Sequence, residues 1–131
     1  MKIIHISDLH YGATGNRVTK LVDKIISHYD GLVQKPLIIN SGDLVEDGKK
    51  SQMNSCKKLM QKLKDAGFEM LICPGNHDLK KFHSSIPIIR GLRRFDSYFR
   101  GLLPKETNFY GENDSNLRDY PLVNQFGHYF F

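Results

Sequence analysis

The stretch Pro36-Leu37-Ile38-Ile39-Asn40-Ser41-Gly42-Asp43 carries the reading of the fold. Leu37 to Asn40 is an unbroken run entered from a proline and left through Ser41-Gly42, and a run without polar alternation suits a strand buried on both faces of a parallel sheet. A strand of that kind needs a helix before it and another after it, because parallel neighbours are joined by crossovers of about a dozen residues or more. Both are present. Upstream, Asn16 can cap a helix in which Val18, Leu21, Val22, Ile25, Ile26 and Tyr29 recur at helical spacing, ending before Gly31. Ahead of it, Lys2 to Ser7 reads as a first strand. Downstream, Met53, Cys56, Leu59, Met60 and Leu63 mark a second helix that stops near Gly67, and Phe68 to Cys73 reads as a third strand. The order β, α, β, α, β is the sign of a parallel α/β sheet.

The character changes after Asp78. Ile88, Leu92, Phe95 and Phe99 keep a helical spacing that Pro87 should open, with Arg90, Arg93, Arg94 and Arg100 mostly between them. Those arginines read as a solvated helix face, with the steering of phosphate as the alternative. Residues 101–116 are polar and glycine-bearing and read as a long loop. Tyr120 to Asn124 and His128 to Phe131 read as a hairpin turning around Gln125-Phe126-Gly127. No internal repeat, low-complexity stretch or interdomain linker is evident, and residues 1–131 are treated as one unit.

Composition bounds the class. With 131 residues, 40% hydrophobic and 25% charged, the chain has apolar material for a core and is not disordered. Its net charge of +5 is a mild bias toward anionic partners, far below the dense basic tracts of a dedicated nucleic-acid binder. Cys56 and Cys73 fall in a helix and a strand, which favours reduced core thiols over a disulfide framework and points to the cytoplasm. The apolar stretch at the N-terminus is too short for a signal peptide, and no later segment reaches membrane-spanning length.

Three clusters of metal-competent side chains follow the three strands: Asp8-Leu9-His10, Gly42-Asp43 and Gly75-Asn76-His77-Asp78. The carboxyl ends of parallel strands open on one crevice, so loops distant in sequence can surround one site. Carboxylate and amide oxygens mixed with imidazole suit Mn²⁺, Fe²⁺ or Zn²⁺ better than a thiolate set would. The glycines before Asp43 and Asn76 are expected to let the backbone turn sharply there. An Asp-x-His or a Gly-Asp alone is ordinary loop chemistry. Gly-Asn-His-Asp is not: residue usage puts its chance appearance in a chain of this length on the order of a few in ten thousand.

Ser7-Asp8-Leu9-His10, Gly42-Asp43-Leu44-Val45 and Gly75-Asn76-His77-Asp78 resemble the first three signature blocks of the calcineurin-like metallophosphoesterases. The resemblance implies the parallel βαβαβ half of an α/β/β/α sandwich followed by the start of a second sheet, with the chain ending short of the complete fold. It implies a two-metal phosphoesterase that hydrolyses phosphomonoesters or phosphodiesters by a metal-bridging hydroxide, the ions being Mn, Fe or Zn. Asp8 and His10 would bind one metal, Asp43 would bridge, and Asn76 would bind the second. His77 would be the catalytic histidine that contacts the phosphate and protonates the leaving group, with Glu46 and Asp78 in support. Glu46 stands where the family often has an acidic residue that orients this histidine. Complete members also carry a later Gly-His and a Gly-His-x-His, and neither occurs in its expected setting. Gly127-His128 fits a hairpin role, and His83 a solvent-facing loop.

The partner implied is a phosphate-ester substrate, with nucleic acid entering only as a substrate. The alternative is a shortened, inactive binding or dimerisation module that retains a partial metal site and self-associates through the Tyr129-Phe130-Phe131 strand edge.

Overall fold

A computed structural model describes residues 1–13, 16–79, 88–103, 125–126 and 129–130. Leu37–Asn40 is β2, the central strand, flanked by β1 (Ile3–Ile6) and β3 (Met70–Ile72). All three run parallel, with Ile3 opposite Leu37, Ile6 opposite Asn40, and Asn40 opposite Ile72. The crossovers are α1 (Arg17–His28) and α2 (Lys50–Asp65). The expected β, α, β, α, β order is therefore present, with each outer strand shorter than its apolar pattern at the ends.

Both helices cover the same face of the sheet. Val18, Val22 and Ile25 of α1 and Met53, Cys56, Leu59, Met60 and Leu63 of α2 join Ile38, Met70 and Ile72 in one buried cluster, against which Ile4 and Ile6 pack. This follows from the strand order, since two right-handed crossovers advancing in the same direction place their helices on the same side. The opposite face carries Ile3, His5, Ile39 and Leu71, of which Ile3 and His5 are exposed. β2 is thus buried more fully than β1, as its apolar run requires.

Asn16 precedes α1 as expected, but its side chain makes no capping hydrogen bond. Cys73 corrects the reading of two core thiols: Cys56 is buried, whereas Cys73, one residue past β3, is exposed. A third helix, α3 (Asn76–Leu79), is a single turn where the sequence suggested a loop. α4 (Ile88–Phe99) begins where Pro87 placed it and runs into a short 3₁₀ turn at Arg100–Leu102. Phe95 and Phe99 lie with ring centroids 4.7 Å apart and bring α4 into the core beside α2. Gln125–Phe126 (β4) pairs antiparallel with Tyr129–Phe130 (β5). Gln125 and Phe126 are therefore strand residues rather than turn residues, because this register leaves two residues between the strands. The expected strand at Tyr120 to Asn124, and the readings of His83 and His128, lie outside the described residues.

Candidate metal centre

The site is built where the sheet stops but its pairing continues. Beyond β1 and β2 the chains stay zipped: Asp8 N–H donates to Gly42 O (3.1 Å), His10 N–H to Asp43 O (3.0 Å) and Tyr11 N–H to Leu44 O (2.9 Å), and Glu46 N–H returns to Tyr11 O (3.2 Å). Within this ladder Asp8, His10 and Asp43 adopt left-handed backbone, with φ of 53°, 44° and 54°. They are the only non-glycine residues with positive φ among those described. Such conformations cost about 1–3 kcal/mol each and persist where surrounding structure enforces them. The enforcement is visible in the neighbours. Leu9, Leu44 and Val45 are buried in the core while Asp8, His10, Asp43 and Glu46 stand outside it. Each left-handed kink turns a polar side chain to the crevice and the next residue inward.

The third loop is held against the second by close backbone contact. A Cβ on Gly42 (φ 121°) would lie 2.8 Å from the Gly75 Cα, and one on Gly75 would lie 2.2 Å from Asp43 Oδ1. Gly42 supplies the sharp turn the sequence suggested. Gly75 does not have positive φ; what it supplies is room. The buried Asp78 carboxylate then ties the loops together, accepting from Val45 N–H through Oδ1 and from Gly75 N–H through Oδ2, both at 2.9 Å. Burial pushes the Asp78 carboxyl up, and the Asp43 charge adds to that, against the lowering effect of the backbone N–H groups of Gly75, Val45 and Leu44.

In this frame His10, Asp43 and His77 converge, each offering a ligand atom within 4.8 Å of the others. The His10 and His77 rings meet edge-on with centroids 4.5 Å apart. Glu46 serves both: its Oε2 lies 2.8 Å from His10 Nδ1, and its main-chain oxygen lies 2.8 Å from His77 Nδ1. A carbonyl and a carboxylate only accept, so each histidine carries a proton on Nδ1 and leaves Nε2 for the crevice. His77 N–H also donates to Asp43 Oδ1 at 2.8 Å.

The remaining site residues of the sequence analysis take different places. Asp8 stands outside the three-residue group, its side chain two-thirds exposed, accepting from Ser7 Oγ at 2.5 Å, with Oδ1 3.8 Å from His10 Nε2. Asn76 opens α3 and is exposed. The acidic residue at position 46 reaches His10 more closely than His77, its Oε1 being 3.8 Å from His77 Nδ1.

Two residues that the motifs did not single out also shape the site. Gln52 accepts from Asp47 N–H at 3.0 Å and packs where a side chain on Gly12 would sit, which fixes the start of α2 against the first loop. The half-buried Arg94 donates to Gly48 O, the carbonyl closing the loop that bears Glu46. It is therefore not the fully solvated arginine of the sequence reading. No sequence signal marks a backbone carbonyl as its target.

A three-stranded parallel sheet whose strand-following loops gather two imidazoles and a carboxylate defines an α/β protein with a metal-competent site. The calcineurin-like phosphoesterase family model matches residues 1–131, and the chain belongs to that family. No curated protein matches the sequence. No helix among the described residues is long and apolar enough to cross a membrane.

Proposed function

We propose that this chain hydrolyses phosphate esters in the crevice between its three strand-following loops, with two divalent metal ions held by Asp8, His10, Asp43 and Asn76. The observation that carries this reading is the convergence of His10, Asp43 and His77 within 4.8 Å in a member of the calcineurin-like phosphoesterase family. The donor chemistry fits: one imidazole with hard carboxylate and amide oxygens suits Mn²⁺, Fe²⁺ or Zn²⁺. Bound there, paired ions supply Lewis acidity to the phosphoryl group and make water a nucleophile near neutral pH.

The chain's own residues would divide the remaining work. Asp43 belongs to the middle loop, joined to the first through Asp8 N–H and Gly42 O and to the third through its own carboxylate and His77 N–H, and this supports a bridging role. His77, with Nδ1–H committed to the Glu46 carbonyl, keeps one tautomer and presents Nε2 toward the reacting phosphate. As the imidazolium, with Nδ1–H held by that carbonyl, it would deliver its Nε2 proton to the leaving oxygen. Glu46 holds the His10 ring in the matching tautomer.

The test is Mn²⁺-dependent release of p-nitrophenol from p-nitrophenyl phosphate and from its bis ester, which separates monoesterase from diesterase activity. His77→Ala is expected to keep bound Mn²⁺ and lose about 10²- to 10⁴-fold in kcat. Asp43→Ala should lose metal and activity together. A parent protein that binds Mn²⁺ yet hydrolyses neither ester would replace this reading with a binding module lacking turnover.

A further inference from the structure

The positive charge of this protein is concentrated on one layer. α1 and α2 together carry eight Lys and Arg residues against Asp23 and Asp65, a net of +6, whereas the whole chain carries +5. All other residues therefore sum to −1. The two helices lie side by side, and the Lys62–Asp23 ion pair at 3.2 Å joins their outer faces into one surface. Arg17, Lys20, Lys24, Lys50, Lys57 and Lys58 have no acidic partner among the described residues.

The placement of that surface is as informative as its charge. In a parallel sheet the helix N-termini lie at the end where the strand-following loops gather. Lys50 is four residues past Glu46, and the first turn of α2 touches the loop after β1 through Gln52 and Gly12. From that rim the lysines continue along α2, whose 16 residues span about 24 Å. Leu21 is the single exposed large hydrophobic residue that the two helices show. A helix face that inserts into a lipid surface needs a row of apolar side chains to bury among the acyl chains, and this one offers Leu21 alone. Exposed cations without an apolar wedge match the repeating phosphates of a nucleic acid.

We infer that the outer face of α1 and α2 binds the phosphate backbone of a nucleic acid, along a track that starts at the rim of the metal centre. The inference does not rest on hydrolysis, and its test is run without metal. The full chain is titrated against a fluorescein-labelled DNA duplex of about 30 base pairs, by anisotropy, between about 50 and 200 mM salt. Saturable binding is expected, with log affinity falling linearly against log salt. The combined Lys20→Gln, Lys24→Gln and Lys58→Gln variant should bind at least about tenfold more weakly at the lowest salt, and its slope should be shallower by about 3. Arginine at the same three positions should restore the affinity. If the triple glutamine variant fails to fold, Lys58→Gln alone should reduce the slope by about 1. Equal binding by parent and glutamine variants overturns the inference. So does a parent that ignores the duplex, whether or not it sediments with phosphatidylserine-containing vesicles.

Discussion

Glu46 engages the two histidines of the centre with two different atoms, its carboxylate on His10 and its main-chain carbonyl on His77. Mutation reaches only the first. Glu46→Ala should therefore weaken Mn²⁺ binding by about 10- to 100-fold, as expected for loss of an outer partner of a ligating histidine, while the His77 tautomer is kept. Glu46→Gln should lose less, because its Oε1 still accepts from Nδ1; calorimetric titration distinguishes the two, and equal affinity for Glu46→Ala and parent would show that His10 needs no such partner. Cys56 offers a second test. Burial, with a smaller contribution from the Asp78 charge, pushes its thiol from 9.0 up to about 12. An acid whose pKa is raised by folding favours the folded state while neutral, so this contribution is complete below pH 9.0 and is lost as pH rises toward 12. Between pH 9 and 10 the parent should lose about 1 kcal/mol more stability in urea titrations than Cys56→Ala loses. In native protein a thiol-reactive disulfide reagent should label exposed Cys73 quickly and Cys56 only on unfolding.

At the scale of elements, the centre depends on how closely the second and third loops approach. Gly75→Ala would place a Cβ 2.2 Å from Asp43 Oδ1, so Asp43 or the backbone of α3 must move. The expected cost is about 1–3 kcal/mol together with loss of Mn²⁺ binding, read by urea titration and metal analysis. Gly101→Ala meets nothing within 4 Å and should change neither. Regular elements were legible in the sequence because their apolar spacing reports burial directly: every apolar position read into α2 is buried. The hairpin was less so. Phe126 and Tyr129 are both aromatic, and alternation in so short a segment does not say which residues turn, so the pairing sits two residues from where the pattern placed it. α3 was hidden for a related reason: four residues are too few for a helical period to show.

For the molecule as a whole, α4 is the element that closes the core over α2, through Phe95 and Phe99. Phe95→Ala should cost about 3–5 kcal/mol in urea denaturation, a large share of the 5–15 kcal/mol typical of a whole domain. The same helix reaches the centre through Arg94 and Gly48 O, so its displacement should also lower metal affinity. Spacing and residue type sufficed to establish the parallel α/β order and the buried second strand, and to single out the three strand-following loops, because hydrophobic periodicity and short motifs are local properties of a chain. Only the tertiary structure decided which groups meet. His10 and His77 lie 67 positions apart, yet their rings are 4.5 Å from centre to centre. Left-handed backbone at Asp8, His10 and Asp43 is imposed by pairing with another loop, and the basic layer exists because α1 and α2 pack side by side. Each of these depends on contacts between segments remote in sequence, and no local pattern encodes such a contact.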